Sequence, residues 1–501
     1  MIYYIVSGLL IFACTIYYWL KTKYSYWSKR GIVSPPIVPV LGNFSSVTLQ
    51  KQSYFDLFTE FYNNYADQKY IGVYIGLRPT LIVRDPEVIK QILIKDFSQF
   101  QDRGVSFTDS DIEQNLFFAE ADVWRVLRHR LTPIFTTGKL KTMIPLVLKS
   151  MNGLLDYADR TIGENGVMEM RSLASKYTLD VIGSCAFGVE VDAFSEKENV
   201  YREIANRMLL FDSKVAIFRF INSLFPGLLK TLGVKSAQKD IFDFFVNMVN
   251  EIVKERFGKP KVRKDFMDFM IELKEQGRVV RRGDDHEKEL EITNELMAAQ
   301  AFIFYLGGFE TSSGTMSFLM HEISQNLDIQ ERLHKEISEV IERHGGVTYE
   351  AINEMRYLEM VLDETLRKYP ILGVLVRQSI SPYTFPNSKI SLEKGTSIII
   401  PVYALHYDPQ YFPNPLEFDP ERFSPENKAK LPSCVYLPFG DGPRNCIGMR
   451  FAKVQSMIGL AGFLHKYRVE PTGQTKRHLE IEPKSGTLTS KDGIWVNVKR
   501  R

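Results

Sequence analysis

One cysteine, Cys446, lies in a glycine-bearing loop, residues 439–448, that reads Phe-Gly-Asp-Gly-Pro-Arg-Asn-Cys-Ile-Gly. A largely apolar run from Met449 to Leu464 follows the loop and is compatible with a helix. Backbone N–H groups and the dipole at a helix N-terminus favour negative charge, which suits an anionic sulfur. Gly442 and Gly448 let the backbone approach a flat cofactor closely. The loop therefore predicts a thiolate ligand.

The fixed positions of this loop are Phe439, Gly442, Arg444, Cys446 and Gly448. Their spacing, Phe-x-x-Gly-x-Arg-x-Cys-x-Gly, resembles the haem-binding signature of the cytochrome P450 superfamily. The resemblance implies haem b with Cys446 as the axial thiolate of the iron, Phe439 against the haem and Arg444 at its acidic edge. The alternative is a buried thiol in a glycine turn, a common environment for a single cysteine.

A second set of candidate residues lies inside a predicted helix that begins after the N-cap Thr293 and ends near Gln325. Its middle reads Gly-Gly-Phe-Glu-Thr-Ser, residues 307–312. Glycines inside a helix cost about 1 kcal/mol each relative to alanine, so a pair of them favours close approach to a bulky planar group. In the family that the chain resembles, this motif implies that Thr311 steadies bound O2 and that Glu310 supplies protons. A packing glycine pair beside a surface glutamate is the alternative.

Cationic and aromatic side chains near the predicted haem form a third set. Trp124 and Arg128 lie one helical turn apart, and both donate hydrogen bonds. The resemblance implies that they bind the haem propionates, together with Arg444 and Arg377. The assignment of Arg377 as a propionate partner rests on its position after the Glu-x-x-Arg helix rather than on a fixed motif.

Glu364 and Arg367 are spaced three residues apart, so they meet on one helix face. With Arg422 downstream, they resemble the buried ionic triad of the family, whose role is to position the cysteine loop. A solvent-exposed ion pair of little energetic value is the alternative.

The N-terminus predicts a membrane anchor. Residues 2–20 form an uncharged stretch of about 19 residues, and Lys21, Lys23, Lys29 and Arg30 follow it. The positive-inside rule then places the rest of the chain in the cytosol. The resemblance to microsomal members of the family implies that the membrane is that of the endoplasmic reticulum. A cleaved signal peptide is disfavoured because no basic region precedes the stretch. We expect an anchor over residues 1–21, a basic and proline-rich hinge over 22–43, and a haem-thiolate monooxygenase domain over 44–501.

Composition indicates a folded protein of 501 residues with 45% apolar and 25% charged residues, and the net charge of +3 excludes a nucleic-acid-binding role based on bulk charge. The four cysteines form no CxxC pair, so a zinc site is unsupported.

Most segments predict amphipathic helices, for example 146–157, 239–257 and 328–342, and 278–291 predicts a solvated loop. Short strands are predicted at 70–75, 80–83, 397–401 and 493–498. The fold class is therefore mainly α with small β-sheets. The resemblance implies a single large haem-enclosing P450-type domain behind an N-terminal transmembrane helix.

The chain has no flavin or nicotinamide motif, so electrons must come from another protein. The family implies an NADPH-dependent flavoprotein reductase, with cytochrome b5 as a possible second donor. The segment around Trp124 carries basic residues for docking an acidic donor, and a solvated basic face is the alternative; these residues are Arg125, Arg128, Arg130, Lys139 and Lys141. Residues 223–229 form an apolar loop that either contacts the membrane or turns inside the core.

These features together resemble P450 monooxygenases, which insert one oxygen atom of O2 into a lipophilic substrate. Residues 180–188 further resemble the insect microsomal branch that handles xenobiotics such as insecticides and plant compounds; endogenous hormones or lipids are other substrates to consider. A haem-thiolate isomerase of peroxides and a non-catalytic haem-binding protein are the rival functions. The resemblance implies that the substrate contacts residues 106–118, 209–220, 302–309, 371–376 and 486–492.

Overall fold

The structure is a computed structural model that describes the whole chain except residues 106–110, 164–165, 196–198, 210–216, 219–220, 222–223, 225–227, 233–238, 262, 264, 281–288 and 387. Most of the predicted apolar loop 223–229 and most of the predicted substrate segment 209–220 therefore lie outside the described residues. One further substrate segment, 106–118, is described only from residue 111 onward.

Helices dominate the described chain, as the fold class predicts. The amphipathic patterns at 146–157, 239–257 and 328–342 each fall within an observed helix or match one to within a residue. The helices of ten residues or more are Ile2–Lys23, Tyr54–Asn64, Ala121–Leu131, Thr137–Thr161, Met170–Ile182, Val200–Leu209, Lys239–Arg256, Phe266–Glu275, Asn294–Gln325, Leu327–His344, Arg356–Lys368 and Met449–Lys466. Short α-helices lie at Ser45–Thr48, Pro86–Lys90, Leu228–Thr231, Tyr349–Glu354, Val402–His406 and Pro425–Lys428. Single turns of 3₁₀- or π-helix lie at Ser28–Arg30, Gln91–Lys95, Phe97–Gln99, Asp111–Glu113, Thr132–Phe135, Gly183–Phe187 and Pro420–Phe423.

The strands form small sheets on the flanks of the helical body. The largest has four strands in the order Tyr70–Ile75, Arg78–Val83, Ser397–Ile400 and Leu375–Gln378, with only the central pair parallel. A three-stranded sheet contains Tyr467–Glu470, Trp495–Arg500 and Val167–Glu169, all antiparallel. Tyr383–Thr384 pairs with Ser391–Leu392. The four predicted strands are all present, with ends that differ by at most two residues.

The charge-rich segment 278–291 was predicted to be a loop, and that prediction is wrong at both ends. Arg278–Val280 pairs antiparallel with Glu289–Glu291, so the two ends form a ladder. The charged residues obscure the pattern because the ladder is formed by backbone hydrogen bonds, which any side chain except proline permits.

The central helix, Asn294–Gln325, is the axis around which the other helices pack. Thr293 Oγ accepts a hydrogen bond of 3.1 Å from Leu296 N–H, which confirms the predicted N-cap. The helix crosses the core between Met170–Ile182 and Lys239–Arg256. Most of its side chains are buried, including Phe309, Met316 and Leu319. A helix buried on nearly all sides has little freedom to shift, so it holds its middle residues at a fixed place in the core.

The segment after the N-terminal helix is packed against the four-stranded sheet. Trp27 is fully buried, and its indole N–H donates to Val73 O at 2.9 Å. The ring lies on Gly72, where an added Cβ would come within 2.3 Å of the indole. Asn43 fastens the proline-rich stretch, because its amide donates to the carbonyls of Pro35 and Pro36 and its oxygen accepts from Tyr74 N–H at 2.7 Å. These contacts fix residues 24–43 to the domain.

Candidate active site

The cysteine loop (residues 439–448) folds as two tight turns that leave Cys446 at their end. Cys446 N–H donates to Phe439 O at 2.9 Å, and Asn445 N–H donates to Gly442 O at 3.1 Å. Gly442 has φ +72°, and a Cβ there would lie 1.9 Å from Leu93 O, so only glycine fits. The loop then enters the helix Met449–Lys466, with Gly448 as its N-cap. The predicted cysteine turn before a helix is therefore present.

The Cys446 thiol has accessible surface, and it lines an internal cavity. Burial raises its pKa, whereas hydrogen bonds from Gly448 and Met449 N–H and the charges of Arg128 and Arg103 lower it. A metal cation bound to this sulfur would displace its proton, since a coordinating thiol is deprotonated. The helix N-terminus thus supplies the donors that a bound thiolate needs.

The cavity has a volume of about 280 Å³ and an apolar lining. Predicted site residues that line it are Phe439, Arg444, Cys446, Trp124, Arg128 and Thr311, so the structure brings the cysteine loop and the central helix to one space. Of the predicted substrate segments, 371–376 contributes Ile371, Leu372 and Leu375, and 302–309 contributes Ile303, Phe304, Gly307 and Gly308. No residue of 486–492 lines this cavity in the described structure.

The predicted propionate partners lie close to the cysteine loop but contact the protein as well. Arg128 donates to Asn445 O at 2.7 Å and to Asn445 Oδ1 at 2.8 Å, so it binds the cysteine loop directly. Arg444 donates to the carbonyls of Gln101 and Ala119, and its guanidinium packs 4.9 Å from the Trp124 ring. These contacts hold the guanidinium groups and the indole in place at the edge of the cavity.

Arg377 is 1% exposed, and its guanidinium has one hydrogen bond, to Val376 O at 2.8 Å. It is not among the residues that line the cavity, and burial, together with the charges of Arg103 and Arg444, lowers the pKa of its guanidinium. Arg103 was missed in the sequence, because it belongs to no motif. It lines the cavity, interacts electrostatically with Cys446, and packs 4.2 Å from the Phe117 ring.

The four guanidinium groups of Arg103, Arg128, Arg377 and Arg444 carry positive charge with little compensation. Among the described residues their single acidic neighbour is Asp102, whose Oδ1 is 3.9 Å from Arg444 Nη1. The Nε atoms of three of them, Arg103, Arg377 and Arg444, are buried without a hydrogen-bond partner. Burial and mutual repulsion lower the pKa of Arg103 to about 10 and that of Arg444 to about 9. Unpaired buried cations are costly, so this cluster fits a group that carries carboxylates, as haem does.

Thr311 lines the cavity and donates to Gly307 O at 2.7 Å, one turn earlier in the central helix. Gly307 has open space where a Cβ would be, and a Cβ on Gly308 would lie 2.5 Å from Ile182 Cδ1. Gly308 is therefore required by packing against the neighbouring helix, and Gly307 leaves the cavity wall flat. A flat wall beside a hydroxyl suits a planar cofactor with a small polar ligand.

Glu310 lies beside Thr311 in sequence, yet it is not among the residues that line the cavity. Its Oε1 accepts from Arg171 Nη2 at 2.5 Å and from Thr487 Oγ1 at 2.8 Å. Burial raises the pKa of the Glu310 carboxyl, and Arg171 and Thr487 oppose that rise. The carboxyl is therefore held on the flank of the helix by partners that the sequence did not reveal.

Glu364 and Arg367 form a fully buried ion pair with two hydrogen bonds, Nε to Oε2 at 2.7 Å and Nη2 to Oε1 at 2.8 Å. Arg422 Nε is 3.5 Å from Glu364 Oε1, so the predicted triad is assembled. Arg367 also donates to His406 O at 2.9 Å. The His406 ring lies between Arg367 O and Leu437 N–H, at 3.0 and 2.9 Å, just before the cysteine loop. The triad thus connects to the loop through one imidazole.

Titration of His406 is expected to make the protein acid-labile. Burial lowers its pKa to about 3, from an unfolded value near 6.5. Below pH ~6.5 the imidazole is protonated in the unfolded chain but stays neutral in the native protein. The free energy of unfolding therefore decreases by about 1.4 kcal/mol for each unit by which pH is lowered, until pH ~3. Denaturant unfolding of wild type and His406→Gln between pH 5 and 7.5 should show this extra slope only in wild type. Equal slopes would contradict the buried neutral ring; His129→Gln, at an exposed position, is the control.

A mainly helical domain that encloses a cysteine thiol, an apolar cavity and uncompensated arginines has the features of a haem-thiolate protein. The family model for Cytochrome P450 matches residues 33–497. Cytochrome P450 6B2 of Helicoverpa armigera is 40% identical over 502 residues, 100% of this chain and 99% of the relative. Cytochrome P450 6a8 of Drosophila melanogaster is 38% identical over 489 residues, 96% of both chains. The chain belongs to the cytochrome P450 family.

Membership of this family makes the protein a P450 monooxygenase that carries haem iron with cysteine thiolate ligation. It depends on redox partners and acts on O2 and a lipophilic substrate. The family comparisons favour this activity over the isomerase and the non-catalytic protein. One helix in the described residues, near the N-terminus, is long and apolar enough to cross a membrane, and it is unburied, which is consistent with membrane anchoring.

Proposed function

We propose that this protein inserts one oxygen atom into lipophilic xenobiotics, such as insecticides or plant compounds, with electrons from NADPH delivered by a separate flavoprotein reductase. The observation that carries this proposal is the apolar cavity that Cys446 and Thr311 both line. Its aromatic and aliphatic walls suit bulky apolar compounds, with few polar groups to orient them. Endogenous hormones or lipids are the alternative substrates, because they are lipophilic and could be oxidised by the same reaction.

Cys446 is the proposed thiolate that would hold the haem iron, stabilised by the N–H groups of Gly448 and Met449. Arg103, Arg128, Arg377 and Arg444, with Trp124, are the proposed partners of the haem carboxylates, and Phe439 is proposed to lie against the ring. When bound, haem supplies the iron at which O2 is activated. The residues of this chain hold the group, exclude water from it and bring protons to the site.

Thr311 is the proposed hydroxyl that orders oxygen and water in the cavity, and Glu310 is the proposed proton donor. The Thr311 hydroxyl donates to Gly307 O, which leaves its oxygen lone pairs as acceptors toward the cavity. The side chain can therefore hold a water without giving up its contact with the helix.

The Thr311→Ala variant is expected to consume NADPH at a rate similar to wild type while forming less product. Loss of an ordering hydroxyl leaves reduced oxygen to escape as peroxide, and we expect product per NADPH to fall about tenfold. Parallel assays of NADPH, product and peroxide test this. Thr311→Ser keeps the hydroxyl and should retain most of the coupling; unchanged coupling in Thr311→Ala would count against the role.

The basic face near Trp124 is proposed to dock the reductase, with cytochrome b5 as a further donor. The structure describes Lys139 as exposed, whereas Lys141 pairs with Glu350 at 2.9 Å and Arg125 donates to Gln101. Arg450, directly after the cysteine loop, is also exposed. Docking through exposed charges predicts a reduction rate that falls as salt rises.

Residues 1–21 are proposed as an anchor in the endoplasmic reticulum membrane, with the catalytic domain (44–501) on the cytosolic face. The support is the apolar helix Ile2–Lys23 followed by basic residues. The hinge, 22–43, joins the two and is packed through Trp27 and Asn43.

The proposed function is tested by reconstituting the haem-loaded chain in vesicles with and without NADPH and a flavoprotein reductase. A panel of lipophilic compounds is first screened for substrate-induced haem spectral shifts, and hits are assayed for a product that carries one atom of ¹⁸O from labelled O2. Turnover without reductase would instead support an isomerase. A thiolate spectrum without oxygen uptake would support a haem-binding protein.

A further inference from the structure

The Glu310 carboxyl is surrounded on one side by a group of hydroxyls that the cysteine chemistry does not use. The side chain is 3% exposed, its Oε1 has two partners, and its Oε2 is buried without one. A buried carboxylate oxygen without a hydrogen-bond donor destabilises the fold, so a functional role for this oxygen would explain its presence. The free oxygen can make a new hydrogen bond without breaking an existing one.

The hydroxyls belong to the C-terminal loop 485–489. Thr487 Oγ1 donates to Glu310 at 2.8 Å and lies 3.2 Å from Ser485 Oγ and 3.4 Å from Thr489 Oγ1. Ser485 and Thr489 are 3.1 Å apart. Ser485 and Thr487 are buried, whereas Thr489 is partly exposed. The three hydroxyls therefore connect a buried carboxyl to a partly solvated side chain.

The loop holds these hydroxyls in place through its backbone. Leu488 N–H donates to Ile371 O at 2.9 Å, and Tyr54 donates to Gly486 O at 2.9 Å. Glu482 N–H donates to Thr489 O at 2.9 Å. A single loop of fixed geometry keeps every oxygen within reach of the next, which a proton relay requires.

Arg171 has a different part in this arrangement. Its guanidinium only donates hydrogen bonds and accepts none, so it holds the carboxyl in place but cannot pass a proton along. A hydroxyl can donate one proton while it accepts another, so a proton can move along the threonine–serine row.

We propose that the hydroxyls of Ser485, Thr487 and Thr489 are the path by which protons from solvent reach Glu310. This rests on the proposed monooxygenase function, in which R–H, O2, two electrons and two protons give R–OH and H2O; the redox partner supplies the electrons. Thr487 O–H gives its proton to Glu310 Oε1 and takes another from Ser485 or Thr489, which water reprotonates. Rotation of the carboxyl exchanges its oxygens, and the proton leaves toward the cavity. Thr487 is thus a positioning residue for proton supply.

The test compares Thr487→Val, which keeps the shape and removes the hydroxyl, with Thr487→Ser, which keeps the hydroxyl. Thr475→Val is the matched control, because Thr475 donates to Trp495 O in the same C-terminal region and does not contact Glu310. With NADPH and reductase, product per O2 should fall about tenfold in Thr487→Val and recover in Thr487→Ser. Hydrogen peroxide brings its oxygen, electrons and protons together, so peroxide-driven turnover should change less than twofold.

A second readout needs no turnover. In pH-difference infrared spectra of the resting haem-loaded protein, the Glu310 C=O band, identified by its loss in Glu310→Gln, should shift in Thr487→Val and stay in place in Thr475→Val. A band unmoved in Thr487→Val, or coupling equal to that of Thr475→Val, overturns the path. No product from wild type while the band still shifts would overturn the monooxygenase function and leave the hydroxyl contact standing.

Discussion

Cys446→Ala is expected to abolish product formation, by at least on the order of 10³-fold, which corresponds to about 4 kcal/mol of barrier. As the ligand of a bound haem, the Cys446 thiolate would supply the negative charge that favours cleavage of the O–O bond, and a methyl group could not replace it. The carbon monoxide spectrum of the reduced protein should lose its long-wavelength thiolate band. Because the alanine side chain is smaller and lies against a cavity, the chain should still fold, which a thermal melt checks.

Cys434→Ala is the matched control for that experiment. Cys434 is a buried thiol twelve positions upstream, where it packs in a core cluster with Leu437 and Leu405. Its replacement should leave the thiolate band and the activity in place and cost only a modest loss of stability. Survival of the band in Cys446→Ala, or its loss in Cys434→Ala, would contradict the assignment.

Glu364→Ala is expected to have the second-largest effect, on stability and haem retention together. The change leaves the guanidinium of Arg367 buried without its carboxylate, and removal of one partner of a buried pair costs about 3–5 kcal/mol. Because Arg367 also fixes His406, which holds Leu437 N–H, the damage should reach the cysteine loop. Denaturant unfolding and the haem-to-protein ratio measure the two effects.

Two variants sharpen this prediction. Arg343→Ala breaks an exposed pair with Glu354, at 2.5 Å, and should change neither stability nor haem content noticeably. Glu364→Leu combined with Arg367→Met removes both charges, yet it should recover little, because Arg367 also donates to the carbonyls of Pro415 and Glu417. Full recovery in the double variant would show that the charge pair alone matters.

The sequence predicted the parts of the site that depend on local spacing. The cysteine turn, the N-cap at Thr293 and the Glu364–Arg367 pair each lie within about ten residues, so their geometry is determined locally by turns and helical periodicity. The helix 449–466 follows from its apolar run in the same way. These elements carry the strongest motifs of the chain.

Other features depend on contacts between distant segments, and the pattern of one sequence does not contain them. Arg103 lies in no motif and reaches Cys446 only because the folded chain brings residues 343 positions apart together. Thr487 reaches Glu310 over 177 positions in the same way. The partner of Arg128 is Asn445, in the cysteine loop, whereas the resemblance indicated a haem propionate. A guanidinium offers five donors, so both contacts are compatible.

The packed position of Trp27 sets the length of the tether between membrane and enzyme. If residues 22–43 were extended, they would span up to about 75 Å at ~3.4 Å per residue, and the domain could drift that far from the bilayer. Burial of Trp27, four residues after Lys23, leaves at most about 15 Å of free chain. With Ile2–Lys23 in a bilayer, the sheet would remain at the lipid surface, and compounds dissolved in the lipid would meet the enzyme by diffusion in two dimensions.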